Sequence, residues 1–511
     1  MTDPGASARG PGIPARSERA NVIDERSRRL EKAEALRARG VEPYAVRFDR
    51  DHTTAALHSE FDGLDDGAET DTPVRVAGRL LLIRRQGKLT FATLRDGTGS
   101  VQLFVSRAVL GEDEHAAFDD LDLGDWVGVE GTAMKTRKGE LSVKVTGFQL
   151  LSKALRPLPD KWHGLADVDT RFRQRYVDLI ANDDARRVFE IRFGAVAAIR
   201  EFLTARGFVE VETPVLHDVA GGANARPFLT HHNALDIDLS LRIALELPLK
   251  RLLVGGFEKV FEIGRVFRNE GLSTRHQPEF TMLELYEAFV DYHDIMVLTE
   301  EMVAAVARAT IGTTTVEIDG HTIELAPPWR RATMRELIWE HAGVDVHPSM
   351  PAEDLQRIGK DLDVPLEPGW GPGKLMMEIY EKTTEAKLVG PVFVLDHPRE
   401  VSPLARAHRD DPLLVERFEP VVLGRELGNA FSELNDPIDQ RARFEAQAAL
   451  KAAGDVEATD VDEDYVRALE YGLPPCGGLG IGVDRLVMLL AGVTSIREVI
   501  LFPHLRPEAG T

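Results

Sequence analysis

The residues best placed to do chemistry in this chain lie on two strand-like runs joined by the loop Leu272–Pro278. The runs, Phe261–Gly271 and Glu279–Tyr286, alternate and contain many β-forming residues, so they predict an antiparallel hairpin. Such a hairpin would bring together Arg268, Glu270, Arg275, His276 and Phe280. Arginine can fork onto phosphate oxygens, and an aromatic ring can stack on a purine. Each residue alone is better explained as a core or surface residue, but the set indicates a nucleotide site.

A glycine-rich run, Gly477–Met488, predicts a strand that turns directly into a helix. Small residues let the backbone approach a ligand closely, and Arg485 would lie in the first helical turn, where it could meet a terminal phosphate. The spacing fits neither the dinucleotide-binding pattern nor the P-loop pattern. Considered alone, this run is explained equally well by tight packing of the helix on a sheet.

A third group is acidic, with Glu419 and Glu426 on two short strand-like pieces around Leu423–Gly424. Two carboxylates facing a bound triphosphate are typical of a magnesium site, because Mg²⁺ takes few protein oxygens together with substrate phosphates. Glu433 and the distant Glu246 have no such partner in the sequence. Buried carboxylates are costly unless a cation neutralises them, and a lysine ammonium would do so. Surface ion pairing is the simpler interpretation of either residue alone.

The composition of the 511 residues, 43% hydrophobic and 29% charged, is typical of a soluble globular protein with a large core. No apolar run is long enough to span a membrane. The only cysteine, Cys476, excludes a disulfide framework and a cysteine zinc site, and it fits the reducing cytoplasm. The net charge of −22 argues against a general nucleic-acid binder. Residues 73–156, however, hold 13 Lys and Arg against 10 Asp and Glu, so this region could tolerate a polyanion.

The N-terminal third predicts a disordered tail (1–16), a helix and linker (17–72) and a β-rich domain (73–155). The five predicted strands are Val74–Ile83, Leu89–Leu94, Val101–Ser106, Trp126–Ala133 and Leu141–Leu151, with room for a helix between the third and fourth. This arrangement favours an OB-fold barrel, and a small β-sandwich stays open. The helix Ser17–Gly40 is rich in arginine, which indicates either a solvated face or contact with RNA phosphates.

A connector is predicted at 156–180, where Pro157 and Pro159 stiffen the chain. Helices and strands then alternate over 181–508, which predicts an α+β domain. A long helix, Val188–Arg206, precedes a strand at Phe208–Val211. Residues of about 351–388 predict several helices without chemistry-bearing residues, and we interpret them as an insertion.

Three ordered motifs resemble those of the class II aminoacyl-tRNA synthetases. Phe267–Glu270 through Glu279–Phe280 resembles motif 2, Gly480–Arg485 resembles motif 3, and Gly207–Pro214 resembles motif 1, which forms the dimer interface in that class. The HIGH-type and KMSKS-type sequences of the other synthetase class are absent from this chain. The resemblance implies a homodimer whose catalytic domain is an antiparallel sheet flanked by helices.

Within that class, the sequence is similar to the bacterial lysyl-tRNA synthetases. The similarity is carried by Gly221–Phe228, Thr230–Asn233, Gly428–Asp436 and Leu155–Lys161, and it runs from about Ser17 to Pro507. It implies a cytoplasmic enzyme that activates L-lysine with ATP and Mg²⁺, with more than one ion per subunit, and transfers lysine to tRNA(Lys).

The similarity also implies roles for single residues. Arg268 and Arg485 would be catalytic, and the ATP site would comprise Arg268, Glu270, His276, Phe280, Glu419 and Arg485. The implied lysine ligands are Gly222, Glu246, Tyr286, Asn429 and Glu433. The implied metal ligands are Glu419 and Glu426. The implied readers of the anticodon are Phe91, Gln102 and Glu140, which would stack on splayed bases or bond to their edges.

Three residues depart from the usual pattern of these enzymes: Leu245 replaces a proline, Pro248 replaces an aromatic or polar residue, and Gln277 replaces a common asparagine. A proline is tolerated near a helix start because the first amides lack helical partners. These changes leave open a duplicate enzyme that activates lysine for another acceptor or in a specialised role.

Two other functions are opposed by particular residues. Activation of aspartate or asparagine is opposed by Glu246 and Glu433, because two carboxylates would repel an acidic side chain. A non-catalytic RNA-binding protein would require the loss of Arg268 or Arg485, and both are present.

Overall fold

The computed structural model describes residues 16–159, 165, 167–219, 221–367, 369–452 and 460–507, and the chain divides into two compact units, Met1–Gly164 and Leu165–Thr511. The tail predicted for 1–16 lies outside the described residues, apart from Arg16. From Val168 onward, the predicted connector forms helices of the second unit. Among the described residues, no helix has the length and apolar character needed to cross a membrane.

The first unit is a closed five-stranded barrel with helices packed on it. Its elements are α1 (Arg16–Ala38), α2 (Thr54–Phe61), β1 (Glu69–Gln86), β2 (Leu89–Arg95), β3 (Ser100–Ser106), α3 (Arg107–Leu110), α4 (Glu112–Asp119), β4 (Trp126–Lys135) and β5 (Leu141–Ser152). The strands pair in the order β1-β2-β3-β5-β4, and the parallel pair β3 and β5 closes the barrel. The predicted barrel is confirmed, and the helix predicted between the third and fourth strands is present as two short helices.

Strand alternation explains how the barrel encloses its core. Buried residues of β2 alternate with partly exposed ones, because successive side chains of a strand point to opposite faces. A Cβ at position 131 would collide with the carbonyl of Lys144. Because Gly131 has no Cβ, β4 and β5 can approach closely there. β1 begins at Glu69, which pairs with Met134 beyond a bulge. The region predicted as helix and linker, 17–72, therefore ends in a strand and also contains α2.

Basic residues of α1 hold this helix against the barrel. Arg29 is buried and donates to the carbonyl oxygen of Leu123 at 2.9 Å. Arg28 and Lys32 form ion pairs with Asp122. Part of the basic surface therefore serves packing. Contact with RNA stays a prediction for the exposed basic residues, which are Arg26, Arg28 and Arg37 of the helix and Arg39 just after it.

The second unit combines many helices with a mixed sheet. Its helices are α5 (Val168–Arg173), α6 (Arg175–Ala181), α7 (Asp183–Thr204), α8 (Glu246–Val254), α9 (Tyr292–Ile311), α10 (Met334–Ala342), α11 (Ala352–Asp361), α12 (Pro372–Thr383), α13 (Pro437–Ala452), α14 (Glu463–Glu470), α15 (Val483–Ala491) and α16 (Ile496–Val499). Short 3₁₀ turns lie at Glu385–Lys387 and Arg399–Val401. The predicted insertion at 351–388 thus contains α11, α12 and one 3₁₀ turn.

The central sheet has nine strands, in the order β14-β15-β16-β18-β19-β11-β10-β6 with β17 paired to β16. The strands of this unit are β6 (Val209–Glu210), β7 (Leu216–His217), β8 (Leu229–His232), β9 (Ile237–Leu241), β10 (Lys259–Phe267), β11 (Glu279–Ala288), β12 (Thr315–Ile318), β13 (His321–Glu324), β14 (Arg330–Thr333), β15 (Val392–Leu395), β16 (Arg417–Val422), β17 (Arg425–Glu426), β18 (Gly428–Ser432) and β19 (Cys476–Gly482). The sheet is antiparallel, as predicted, except for a parallel pair at each edge.

The two faces of the central sheet differ, since one packs into the apolar core and the other carries polar and charged side chains. Leu283 and Leu285 of β11 and Ile481 of β19 pack into a large apolar core with α7, α9 and α15. The intervening residues of the same strands, including Glu284 and Tyr286, point to the opposite face because strand side chains alternate. That opposite face carries the candidate site, and β10 with β11 forms the predicted hairpin.

Candidate active site

A cavity of about 390 Å³ lies on this face of the sheet. Strand register sets its floor in two rows across β11, β19 and β18: Glu284, Gly480 and Asn429, then Tyr286, Gly478 and Phe431. A Cβ on Gly478 would collide with the carboxylate of Glu433 and the ring of Tyr286. The glycine-rich run Gly477–Met488 therefore leaves room at Gly478 for charged and aromatic side chains from the neighbouring strands.

One end of the cavity is lined by three carboxylates: Glu246, Glu284 and Glu433. Glu246 begins α8, and Gly222, at φ +88°, packs so closely on it that a Cβ would lie 3.2 Å from the Cβ of Glu246. Tyr286 donates to Glu284 Oε2 at 3.0 Å. The structure thus brings the predicted lysine ligands Gly222, Glu246, Tyr286 and Glu433 to one end, and it adds Glu284.

The end with three carboxylates already contains a cation of the chain. Lys250 is fully buried, and its ammonium lies 2.5 Å from Glu246 Oε1 and also contacts Glu433 Oε2. The rings of Tyr286 and Phe431 flank this ammonium, with centroids at 5.8 and 5.2 Å. The sequence alone pointed to an ammonium group for this acidic pair, and Lys250 supplies one. Its position four residues after Glu246, on the same helical face, was the signal that could have found it.

Burial and mutual charge govern how these groups titrate. Burial raises the pKa of Glu246 and of Glu433, and burial with the charge of Glu246 raises the pKa of Glu284 to about 7. Burial alone would lower the pKa of Lys250, but the charges of Glu246 and Glu433 raise it well above its usual value. Lys250 is therefore a permanent cation, and Glu284 changes charge near neutral pH.

The other end of the cavity presents positive charge. Arg268 follows β10, and its guanidinium carbon lies 5.2 Å from the centroid of the Phe280 ring. Its Nε has no hydrogen-bond partner among the described residues. Glu270 and His276 are exposed at the rim, on the loop that connects β10 to β11. The hairpin therefore gathers the residues predicted for the nucleotide, with a guanidinium that is free to bind an anion.

Arg417 links the two ends of the cavity. Its guanidinium donates to Glu419 Oε1 at 2.6 Å and to Asn429 Oδ1 at 2.7 Å, while Nη1 donates to Ser402 Oγ at 2.8 Å. One side chain thus orients a predicted metal ligand and a predicted lysine ligand. Sequence reasoning missed Arg417, although its place two residues before Glu419 on a strand puts both on one face.

Glu419 and Glu426 lie on the antiparallel strands β16 and β17, as predicted, and the turn between them places Leu423 and Gly424 at positive φ. Burial and the charge of Glu419 raise the pKa of Glu426. Arg485 donates to the carbonyl oxygen of Glu426 at 2.6 Å and lies 3.4 Å from its Oε2. Two carboxylates and a guanidinium therefore meet at this end. Among the described residues, no cluster of three or more acidic, histidine or cysteine side chains could hold a metal by itself.

Arg485 is held in place through its neighbour Asp484. Asp484 is buried, accepts from the backbone of Thr281 at 2.7 Å and pairs with Arg192 of α7. These contacts fix the start of α15 against β11 and α7. The predicted motif 3 therefore positions Arg485 through a buried ion pair that the sequence did not reveal.

The three unusual residues fit the structure without strain. Leu245 precedes α8, and only its backbone amide takes part in the site, donating to Glu284 Oε1 at 2.8 Å. Pro248 is the third residue of α8, where a backbone amide has no helical partner. Gln277 is buried and bonds to the backbone of His504, which secures the loop after β10.

The barrel unit carries the three predicted anticodon residues on its outer surface. Phe91 lies beside Phe104 with ring centroids 5.5 Å apart. Gln102 donates to Ser142 Oγ at 2.9 Å, and exposed Glu140 lies two residues before Ser142. The arrangement offers aromatic rings beside hydrogen-bonding groups, and Phe104 is an aromatic partner that the sequence interpretation missed.

Cys476 is buried on the same face of the sheet as the cavity, in an apolar cluster with Tyr286 and Phe431, and burial together with the charge of Glu433 raises the pKa of its thiol. A neutral, enclosed thiol is a poor nucleophile. The structure therefore gives no support to Cys476 as a nucleophile.

Comparisons with known proteins agree with this geometry. Residues 167–506 match the family of class II tRNA synthetases for aspartate, lysine and asparagine (D, K and N), and residues 74–151 match the OB-fold nucleic acid binding domain. A lysine–tRNA ligase of Moorella thermoacetica is 56% identical over 480 residues, which cover 94% of this chain and 97% of that protein. Lysine–tRNA ligases of Nostoc punctiforme and Trichormus variabilis are 53% and 52% identical, each over 95% of this chain and 88% of the relative. The chain therefore belongs to the class II lysyl-tRNA synthetase family.

Proposed function

We propose that this chain activates L-lysine with ATP, forming lysyl-adenylate and pyrophosphate, and then transfers the lysyl group to the 3′-terminal adenosine of tRNA(Lys). One observation carries the proposal: a single cavity has buried carboxylates at one end and the guanidinium groups of Arg268 and Arg485 at the other. Such a cavity suits a cationic amino acid joined to a polyphosphate.

Lysine would lie with its ammonium groups among Glu246, Glu284 and Glu433, beside Tyr286 and Asn429. Glu433 Oε1 has no hydrogen-bond partner among the described residues, which leaves it available to a ligand. The lysine carboxylate would face Arg268. A buried carboxylate accepts an ammonium group far more readily than a neutral or acidic side chain, so this end selects lysine over aspartate and asparagine.

ATP would occupy the opposite end. Phe280 would stack on adenine, Glu270 and His276 would lie near the base and outer phosphates, and Arg485 would reach the γ-phosphate. Glu419 and Glu426 would hold Mg²⁺, more than one ion being accommodated with ATP. The donor set fits this ion, since Mg²⁺ takes one or two carboxylates plus phosphate oxygens and water. Bound there, it would neutralise phosphate charge.

The chemistry needs no protein nucleophile. A carboxylate oxygen of lysine attacks the α-phosphorus, and the bond to pyrophosphate breaks. A ribose hydroxyl of the tRNA then attacks the activated carbonyl, the bond to AMP breaks, and AMP and the hydroxyl proton are released. Arg268 orients the carboxylate and stabilises charge on the α-phosphate, and Arg485 holds the outer phosphates, so catalysis rests on positioning and electrostatics.

The barrel unit would recognise the anticodon through Phe91, Gln102 and Glu140. Stacking on an exposed aromatic ring and hydrogen bonds to base edges are the usual means of reading single-stranded RNA. We expect Phe91→Ala to weaken tRNA charging while ATP–pyrophosphate exchange stays unchanged. A loss of exchange in this variant would contradict the separation of the two tasks.

The enzyme would act as a cytoplasmic homodimer. Support for the dimer comes from apolar side chains that are exposed near the predicted motif 1, among them Phe193, Val209 and Leu216. Exposed apolar surface of this kind typically marks a protein interface. Sedimentation of the purified chain would show a dimer, and a monomer at micromolar concentration would refute this part.

Exchange of pyrophosphate into ATP with each of the twenty amino acids tests the central proposal. We expect exchange with lysine, and a rise in the lysine KM of about 10²-fold or more in Glu246→Ala and Glu433→Ala, because each removes a buried charge partner. The control is Glu353→Ala, which removes an exposed carboxylate. Exchange that does not depend on lysine, or that survives both substitutions unchanged, would refute the proposal.

A further inference from the structure

Lys250 lies against two carboxylates of the cavity, and the proposed function gives it no task. Lys250 is the fourth residue after Glu246 on α8, and its side chain is completely buried. A buried ammonium group is costly to form and persists only where carboxylates compensate it. Here two carboxylates do so, and both also face the proposed site for lysine.

The charges at this end can be counted from the buried groups. Glu246, Glu284 and Glu433 contribute three carboxylates, and Lys250 contributes one ammonium group. Free lysine brings two more ammonium groups, while its carboxylate is balanced by Arg268. At a pH above the pKa of Glu284, three carboxylates therefore face three ammonium groups when lysine is bound, and the enclosed charges balance.

We infer that Lys250 is a positioning residue of the amino-acid pocket, whose ammonium group holds Glu246 and Glu433 side by side. It supplies the third ammonium group, so that three carboxylates match a substrate that brings only two. Lys250 does not touch the reacting atoms, and it acts on lysine through the two glutamates. The inference rests on the proposed placement of lysine in this cavity.

The surroundings of Lys250 explain why no other group can take its place. The charged or titratable groups that face the cluster from neighbouring elements are Glu284 and Tyr286 of β11, Arg417 of β16, Tyr465 of α14 and Cys476 of β19. Arg417 is already engaged by Glu419 and Asn429. Without Lys250, Glu246 and Glu433 would repel each other, and one would have to hold a proton.

The test replaces Lys250 with methionine, which is similar in length but uncharged. Lys250→Met should raise the lysine KM at least tenfold and leave the ATP KM within about twofold. In the wild type we expect the lysine KM to fall as the pH rises, and in Lys250→Met this fall should occur at a higher pH. The displacement follows because the two glutamates lose their cation and bind protons more tightly. Lys374→Met, on the surface of α12, serves as the matched control and should behave like the wild type.

A second variant separates charge matching from simple packing. Lys250→Met with Glu433→Gln removes one carboxylate together with the ammonium group, so the charges balance again. This double variant should unfold at a higher temperature than Lys250→Met alone, and its pH profile should return toward that of the wild type, although its lysine KM stays raised. If Lys250→Met does not fold, a folded double variant still supports the inference.

Several outcomes would overturn the inference. One is a wild-type lysine KM and pH profile in Lys250→Met, and another is a double variant that is less stable than the single one. Failure of both variants to fold would also overturn it, because packing alone would then account for Lys250. Failure of the proposed function has a different signature, since Glu246→Ala would then exchange normally with lysine.

Discussion

The two ends of the cavity are prepared for their ligands in opposite ways. At the amino-acid end the carboxylates are buried and already hold the ammonium of Lys250. At the phosphate end, the side chains of Arg485 and Glu426 are 36% and 37% exposed, and Arg268 Nε has no partner among the described residues. A small cation thus meets a preformed, buried site, whereas a polyanion completes a site that is partly exposed.

The contrast between the two ends indicates where each substitution should act. Charges at the amino-acid end take part in the folded core, so changing them alters both lysine binding and stability. At the phosphate end, Glu419 is buried against Arg417. Arg268, however, forms no ion pair among the described residues, and Arg485 and Glu426 share only a partly exposed one at 3.4 Å. Changing these three therefore alters the reaction with little effect on folding.

Arg268→Ala should have the largest effect on the reaction. It removes the guanidinium placed between the two substrates, and the loss of one preorganised donor at a developing charge costs about 10²–10³-fold in rate. We expect ATP–pyrophosphate exchange to fall at least to that extent, with a melting temperature close to that of the wild type. Arg330→Ala, which breaks an exposed pair with Glu340, is the control. Near-normal exchange in Arg268→Ala would end its assignment as a catalytic residue.

Glu426→Gln should change the need for metal. Loss of one of two carboxylates weakens a site that depends on few protein oxygens, so half-maximal exchange should require about tenfold more Mg²⁺. A magnesium titration at fixed ATP measures this shift, and Glu353→Gln serves as the surface control. An unchanged magnesium requirement would mean that Glu426 does not hold the ion.

Lysine binding should depend on pH through Glu284, whose pKa burial raises to about 7. Below this pH the carboxyl is neutral and attracts an ammonium group poorly; above it the carboxylate is charged. The lysine KM should therefore fall by up to about tenfold as the pH rises from about 6 to 8. Glu284→Gln should flatten the profile over that range. A wild-type KM that rises with pH would contradict the assignment.

Much of the architecture could be predicted because the signals are local. The alternation in β10 and β11, the glycines of β19 and the short strands of the barrel each lie within a few residues of chain. Sequence periodicity therefore placed the hairpin, the barrel and the positions of Arg268 and Arg485. The cost of burying Glu246 and Glu433 indicated an ammonium group near them, but the sequence did not identify Lys250 as one.

Residues that meet only through the fold were missed. Asp484 and Arg192 are 292 positions apart, and Gln277 and His504 are 227 apart, so no local pattern could join them. Lys250 and Arg417 lie close in sequence to a predicted ligand, four positions after Glu246 and two positions before Glu419. Their task follows from burial, and a single sequence does not state which charged residues are buried.

The smallest expected effect belongs to Gln277. Its buried amide accepts from the backbone of His504 at 2.9 Å and donates to the carbonyl of the same residue at 3.4 Å, which ties the loop bearing His276 to the C-terminal segment. Gln277→Ala should raise the ATP KM about three- to tenfold, because two hydrogen bonds of modest net strength are lost, and should leave the lysine KM unchanged. The ATP KM of Gln277→Asn, whose side chain is one methylene shorter, should lie between those of the wild type and Gln277→Ala, since it can keep at most one of these bonds.

His504→Ala is the control, because it removes the contact with Glu279 but leaves the backbone groups that Gln277 uses. A change in the lysine KM rather than the ATP KM would mean that this loop serves the amino-acid end, and the contrast between the two ends would then have to be redrawn.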